Sequence, residues 1–433
     1  MPAFLGSGIL FSLSALLGPA VLQAPQVGDR ASETGEPIVV IEDLVKELIE
    51  NNPSIRAAQY RLDAATKRPS QMSTLPEPKL SFTNFGVGHP FSRLGASDFA
   101  YQGFGFSQEL PYPGKLALAG EEARREADSE REMYRAVVLE AVAQLKTAYY
   151  EWFGVVKAIE ITRKNKDLLQ RFERIARARY AVGKGLQQDV LKAQVEESTL
   201  AQQLEILAQK KATLEARIRS LLNSERPLGR PADVRLSPLA IGLEDLLSAL
   251  DREAPRLKAQ QAMIDSRAVA IERSKKEYLP DFGVSFQWQK TGAPFRDYYM
   301  ATAEMKVPLY FWRKQRLGVE ESVSRFREAR QNYLSERQEL VFQLKDLYLT
   351  AKTSERLLAL YQSGIIPQSS LSLESAVAGY EVGSVDFLTL MNSFMTVLTY
   401  EMEYYEELSR HEQALARMQA LVDIPPGRRG GDK

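Results

Sequence analysis

The 433-residue sequence has no cysteine, only two histidines, and no surplus of either charge, with 56 Lys+Arg against 56 Asp+Glu. Each shortage excludes something. Without thiols there are no disulfides, thiolate metal sites or cysteine nucleophiles. His89 and His411 lie 322 positions apart, and neither has Glu three residues before it. The Glu-x-x-His ligands of a helical-bundle metalloenzyme are therefore missing. The ten methionines form no cluster that suits a soft metal. A zero net charge gives no basic footprint for nucleic acid. Pro113-Gly-Lys115 lacks the upstream Gly and following Ser/Thr of a phosphate loop. No cofactor is expected, and most enzyme classes fall away.

Long apolar runs are scarce too. Phe4 to Leu22 is the only strongly apolar stretch, and its core from Gly8 to Leu17 is short for a membrane helix. It suits a secretory signal over 1–24, cut near Ala20 or Ala24, although no Lys or Arg precedes it. The Gly- and Arg-rich stretch 425–433 reads as a disordered tail.

What is present is a repeat. Ile41-Glu-Asp-Leu44 returns as Leu243-Glu-Asp-Leu246, an offset of 202 that Pro53/Pro255 and Pro78/Pro280 share. Leu145-Lys-x-x-Tyr149 returns at Leu344 with an offset of 199, and Tyr180-x-Val-Gly183 returns at Tyr380 with an offset of 200. The first copy spans 38–222, the second 243–424, and the Pro/Gly/Arg-rich stretch 223–242 links them. Each copy reads as a short helix, two strands, a long helix, a tight turn and a second long helix.

The long helices carry a 3.5-residue period, for example Leu145, Tyr149, Trp152, Val156 and Ile159. That spacing means helix-on-helix packing with a left-handed supercoil. Gly114 to Ala181 would make a rod of about 100 Å at 1.5 Å per residue. The second copy is expected to interrupt its rod at Gly364-Ile-Ile-Pro367, where proline removes a helix hydrogen bond. Gly183-Lys184-Gly185 and Gly383-Ser384 mark two equivalent hairpin tips, where glycine supplies a helix C-cap's positive φ. His411 falls on the apolar stripe of the last helix, which predicts a buried interhelical residue.

Between Pro78 and Pro111, and between Pro280 and Pro308, the period changes to two. Phe282, Val284, Phe286 and Trp288 take one face, with Gly283, Ser285 and Gln287 on the other. In the first copy Phe99, Tyr101, Phe104 and Phe106 switch face midway, which predicts a bulge at Gly103. Each strand is about ten residues, the length that crosses a bilayer when tilted. Four strands cannot close a barrel, and open edges in lipid leave backbone groups unpaired. The reading is an α+β membrane protein whose four transmembrane strands and long antiparallel coiled-coil helices are completed by a homotrimer. A soluble periplasmic coiled-coil scaffold with no channel is the competing reading.

These residues resemble the TolC-like outer-membrane efflux proteins over roughly 38–424. The resemblance rests on the two-copy layout, the Gln108-Glu-Leu-Pro-Tyr-Pro-Gly-Lys115 strand-to-helix joint with Pro111, Pro113 and Gly114, the matching Pro308, and the Tyr-x-Val-Gly tips followed by Asp189-Val-Leu. The joint is most similar to the branch paired with metal-exporting pumps. The resemblance implies a twelve-stranded barrel in outer-membrane lipid and a periplasmic helical tunnel. It also implies two partners, a periplasmic adaptor (membrane fusion) protein and an inner-membrane pump. The chain would be a passive exit duct, for solutes or, in the alternative, for secreted protein. Asp189 and Tyr380 occupy positions that in the family link neighbouring helices and hold the aperture shut, while local capping and packing would explain them equally. Where the family often has acidic rings, this sequence has Thr389 and Asn392, with Asp386 as the only nearby acid. The tips Gly183, Lys184, Gly185, Gly383 and Ser384 would meet the adaptor.

Overall fold

The computed structural model describes residues 37–86, 94–95 and 97–423, so the expected signal, the tail and His89 lie outside it. The first half contains β1 (Ile38–Val39), α1 (Ile41–Asn51), α2 (Pro53–Ser73), β2 (Lys79–Phe85), β3 (Tyr101–Leu110), α3 (Lys115–Ala181) and α4 (Gln187–Leu222). After β4 (Arg230–Pro231) follow α5 (Leu243–Glu253), α6 (Pro255–Lys276), β5 (Asp281–Lys290) and β6 (Tyr298–Lys306). The chain then runs through α7 (Lys314–Leu360), a π turn (Tyr361–Ile365), α8 (Ile366–Val382) and α9 (Phe387–Val422).

Each half opens with two helices where the sequence suggested one. Asn52 ends α1 and caps α2, its side-chain oxygen accepting from the N–H groups of Ser54 (2.9 Å) and Ile55 (3.2 Å). Pro53 fits the first turn because that position's N–H would have no helical partner anyway. Pro255 starts α6 in the same way.

The four long strands form one antiparallel sheet in the order β2-β3-β5-β6. Pairing of β3 with β2 runs without a slip from Lys79↔Ser107 to Phe85↔Tyr101, and the bulge expected at Gly103 is absent. Tyr101 faces away from Phe104 because they are an odd three positions apart, and it stacks there on Phe85 at 5.5 Å. A Cβ on Gly105 would stand 2.5 Å from Ser81 Oγ, so glycine is what lets these strands close up. Leu80, Phe82, Phe104, Phe286 and Trp288 share one face and are exposed, while the opposite face carries Ser81, Gly105, Ser285 and Gln287. β2 and β6 are the two edges.

Below the sheet, α3 packs against α4 on one side and α9 on the other, and α9 packs against α7 and α8. One core joins Leu44 and Leu48 of α1 to Leu145, Tyr149 and Trp152 of α3 and Ile218 of α4. Its counterpart joins Leu246 and Leu250 of α5 to Leu344 and Ala351 of α7 and Met418 of α9. A third, towards the tips, gathers Phe172, Leu200, Tyr380, Phe387 and Phe394. His411 is fully buried in this helical body, its ring nitrogens 2.9 Å from the carbonyl of Ala351 and 2.7 Å from that of Ser237.

Two further elements depart from the sequence reading. The interruption expected at Gly364–Pro367 takes the form of a π turn that includes Gly364 and Ile365, not of a break. The π turn carries the change of pitch, Pro367 falls in the first turn of α8, and the helix continues. The segment between the halves is also not wholly irregular, since β4 pairs in parallel with β1. Tyr149 clamps that pair, donating to the Val39 carbonyl (2.9 Å) and accepting from Ala232 N (3.0 Å).

Candidate functional site: the hairpin tips and the strand-to-helix joints

The two tips share one backbone design. Gly183 (φ 74°) and Gly383 (φ 84°) follow α3 and α8 in the left-handed conformation. Their amides donate to the carbonyls of Tyr180 (3.0 Å) and Tyr380 (3.2 Å). Lys184 N and Ser384 N then close a longer turn onto the carbonyls of Arg179 (2.8 Å) and Gly379 (2.9 Å). Lys184, Gly383 and Ser384 are exposed at the ends of the hairpins.

Side chains make the tips differ. Tyr180 is 47 % exposed, whereas its counterpart Tyr380 is 3 % exposed and packs on Phe387 at 5.5 Å. Arg179 binds the second tip from the first. Its guanidinium lies 4.8 Å from the centre of the Tyr380 ring and donates to the Tyr380 carbonyl and to the Lys184 carbonyl (3.3 Å). This residue was missed in the sequence. The one available signal was that an arginine precedes Tyr180 where glycine precedes Tyr380.

Asp189 sits half-buried in the first turn of α4. Burial raises the Tyr380 phenol above its ordinary pKa, and the charge of Asp189 raises it further. Among the described residues no hydrogen bond joins the two, and the buried Tyr380 hydroxyl has no partner. Asp386, by contrast, caps α9 by accepting from Thr389 N at 2.8 Å. Thr389 and Asn392 follow as exposed residues on α9.

At the other end, the joint after β3 is pinned. Pro111 and Tyr112 are half-buried, and Gly114 (φ 93°) turns the chain into α3. Lys115 is buried, its ammonium 2.8 Å from Asp281 Oδ1 and 3.4 Å from Glu277 Oε2. The same Asp281 oxygen accepts from Tyr112 N at 2.8 Å. The joint after β6 is different. Pro308 is half-buried, but Leu309, Tyr310, Phe311 and Trp312 are 52–70 % exposed.

No helix among the described residues is long and apolar enough to cross a membrane, and no three His, Asp or Glu residues are placed to hold a metal ion. The fold thus defines a class: two-copy chains in which a four-stranded sheet with one apolar face stands on paired helices up to about 100 Å long. The chain matches the outer membrane efflux protein family over residues 44–224 and 246–422, and it belongs to that family. It is an outer-membrane protein of efflux, with its helical part in the periplasm. It is 23 % identical over 319 residues to the cobalt-zinc-cadmium resistance protein CzcC of Cupriavidus metallidurans, covering 71 % of this chain and 75 % of that one. Its fold is similar to that of the outer-membrane channel OprN (TM-score 0.76, 15 % identity, 88 % and 89 % of the two chains). The same holds for the outer membrane protein VceC of Vibrio cholerae (TM-score 0.75, 16 % identity, 88 % and 96 %).

Proposed function

We propose that three copies of the chain close a twelve-stranded barrel and form a passive exit duct, fed from the periplasm by an adaptor protein and an inner-membrane pump. One observation carries this reading: the sheet has an apolar face and two open edges. An open edge in lipid costs several kcal/mol per unpaired group, so β6 of one copy must pair with β2 of the next. Twelve strands leave a lumen where eight would fill with side chains. The helices support the same closure. Within the chain α4 and α7/α8 are the outermost rods. Both carry exposed apolar side chains, Leu191, Val195 and Ile206 on α4 and Phe342, Leu349 and Leu371 on α7/α8. A ring of copies buries those two stripes against each other.

Arg179, Tyr380 and Asp189 are the residues of the closed aperture in this reading. The neutral Thr389 and Asn392 line it, so choice of cargo falls to the pump. The sequence holds no phosphate loop, and the driving energy comes from that partner. The test is the oligomeric state in detergent together with single-channel current in planar bilayers. A trimer whose conductance appears on opening is expected. Folded, inserted protein that never conducts would remove the duct and leave a scaffold.

A further inference from the structure

We infer that Lys314 of one copy and Glu77 of the next form an ion pair that locks the strand-to-helix joint where two copies meet. The inference rests on the ring of copies proposed above and names a contact inside it.

The template lies within the chain, where the first repeat meets the second. Lys115 is the first residue of α3, and it reaches across to Asp281 at the start of β5 and to Glu277 at the end of α6. The offset of 199 that relates the two long helices places Lys314, the first residue of α7, at the same point of the second repeat. Lys314 is exposed, and no carboxylate lies within ion-pair distance of it among the described residues. It borders the cleft that holds Glu277 and Asp281, but those acids already bind Lys115 and the amide of Tyr112. Lys314 lacks what Lys115 has, a following repeat.

Around a closed ring that repeat is the start of β2 in another copy. Lys79, the first residue of β2, stands where β5 has Asp281 and is itself a cation, 3.5 Å from Glu109 of β3. The acid has moved to Glu77, in a Leu75-Pro-Glu77 triplet that echoes Leu279-Pro-Asp281. Glu77 is exposed and has no cation partner among the described residues. The lysine has moved by the same amount: Lys314 is six residues past Pro308, whereas Lys115 is four past Pro111. Both shifts of two residues run away from the membrane strands. The pair therefore re-forms further from the strands than its template does. An exposed lysine and an exposed glutamate, one beside each open edge, come together on assembly where solvent and salt screen their attraction less.

The test needs no variant at first. Copies labelled with ¹⁴N and ¹⁵N are co-assembled and treated with a carbodiimide, which joins an amine to a carboxylate only in direct contact. A Lys314–Glu77 peptide of mixed label is expected by mass spectrometry. Lys314→Glu and Glu77→Lys should each lower trimer survival in detergent roughly tenfold, and the double reversal should restore it. A stable trimer with no mixed crosslink and full tolerance of both reversals overturns the pair while leaving the duct intact. A protein that is monomeric and never conducts overturns the ring itself.

Discussion

The two tips are the same turn solved twice, with glycine placed on opposite sides of the same contact. In each, the residue six places on folds back against the end of the preceding helix. In the first tip the loop gives way, with Gly185 against Arg179, where an added Cβ would stand 3.1 Å from the arginine's Cβ. In the second the helix gives way, with Gly379 against Val385, where it would stand 2.5 Å from the valine's Cγ2. Only the first arrangement leaves room for a long side chain on the helix, and that side chain is Arg179. A duplicated backbone thus tolerates two solutions to one steric problem, and the choice decides which tip can reach out and hold the other.

The rods repeat the lesson at larger scale. Trp152 and Ala351 occupy the same place in the two copies, and both are fully buried. Trp152→Ala is expected to cost about 3–5 kcal/mol, because the first core is built around the indole. The reverse change, Ala351→Trp, should destabilise by overpacking the second core by about 1–3 kcal/mol or more. Denaturant unfolding in detergent measures both. A loss below 1 kcal/mol for each would show that the two cores are interchangeable.

At the second tip, Gly379→Val should cost about 1–3 kcal/mol, with Val385→Gly restoring most of it. Absence of rescue would place the strain elsewhere. A smaller effect is expected on opening. Arg179→Ala removes a cation–π contact and hydrogen bonds worth about 1–2 kcal/mol together, so open probability in bilayers should rise roughly five- to thirtyfold. Asp189→Ala should change it less, since no hydrogen bond ties Asp189 to Tyr380. If Asp189→Ala opens the channel more than Arg179→Ala, the roles of the two are reversed.

The smallest expected effect depends on pH. Asp386 caps α9, and the bond from Thr389 lowers its carboxyl below the ordinary 3.8. A depressed carboxyl contributes its stability above the ordinary value and loses it as pH falls through the lowered one. Protection from hydrogen exchange at the start of α9, relative to the intrinsic rate at each pH, should therefore fall on acidification below about pH 3.8. The start of α4 should not follow, because its cap residue is Leu186, with no side-chain bond. Leu186→Asp should add about 0.5–2 kcal/mol of local protection and bring the same acid sensitivity to the first tip.

Much of this architecture could be read from periodicity, because long helices and strands of seven to ten residues average over many positions. β5 alternates cleanly, and its face assignment is correct throughout. β3 misled at Gly103 because a step of three positions between aromatics mimics a bulge when strand partners are not visible. The π turn at Tyr361 was hidden because proline's effect depends on whether the turn before it can widen. Asn52 was passed over because its capping role appears only once Pro53 is recognised as a helix start. Arg179 was illegible for another reason: its partners, Tyr380 and Lys184, come from two hairpins, and no spacing within one helix announces that meeting. The residues Asp189 and Tyr380 were picked out by resemblance, and the structure brings them near each other without bonding them.

The glycine exchange also has a consequence for stoichiometry. In the proposed ring of three copies, six hairpin ends would alternate between two kinds, an arginine-bearing end and a glycine-backed one. A docking partner made of identical subunits could therefore use three of them and read one landing place. Alternatively it could use six, whose binding surfaces must then tolerate two unlike sockets.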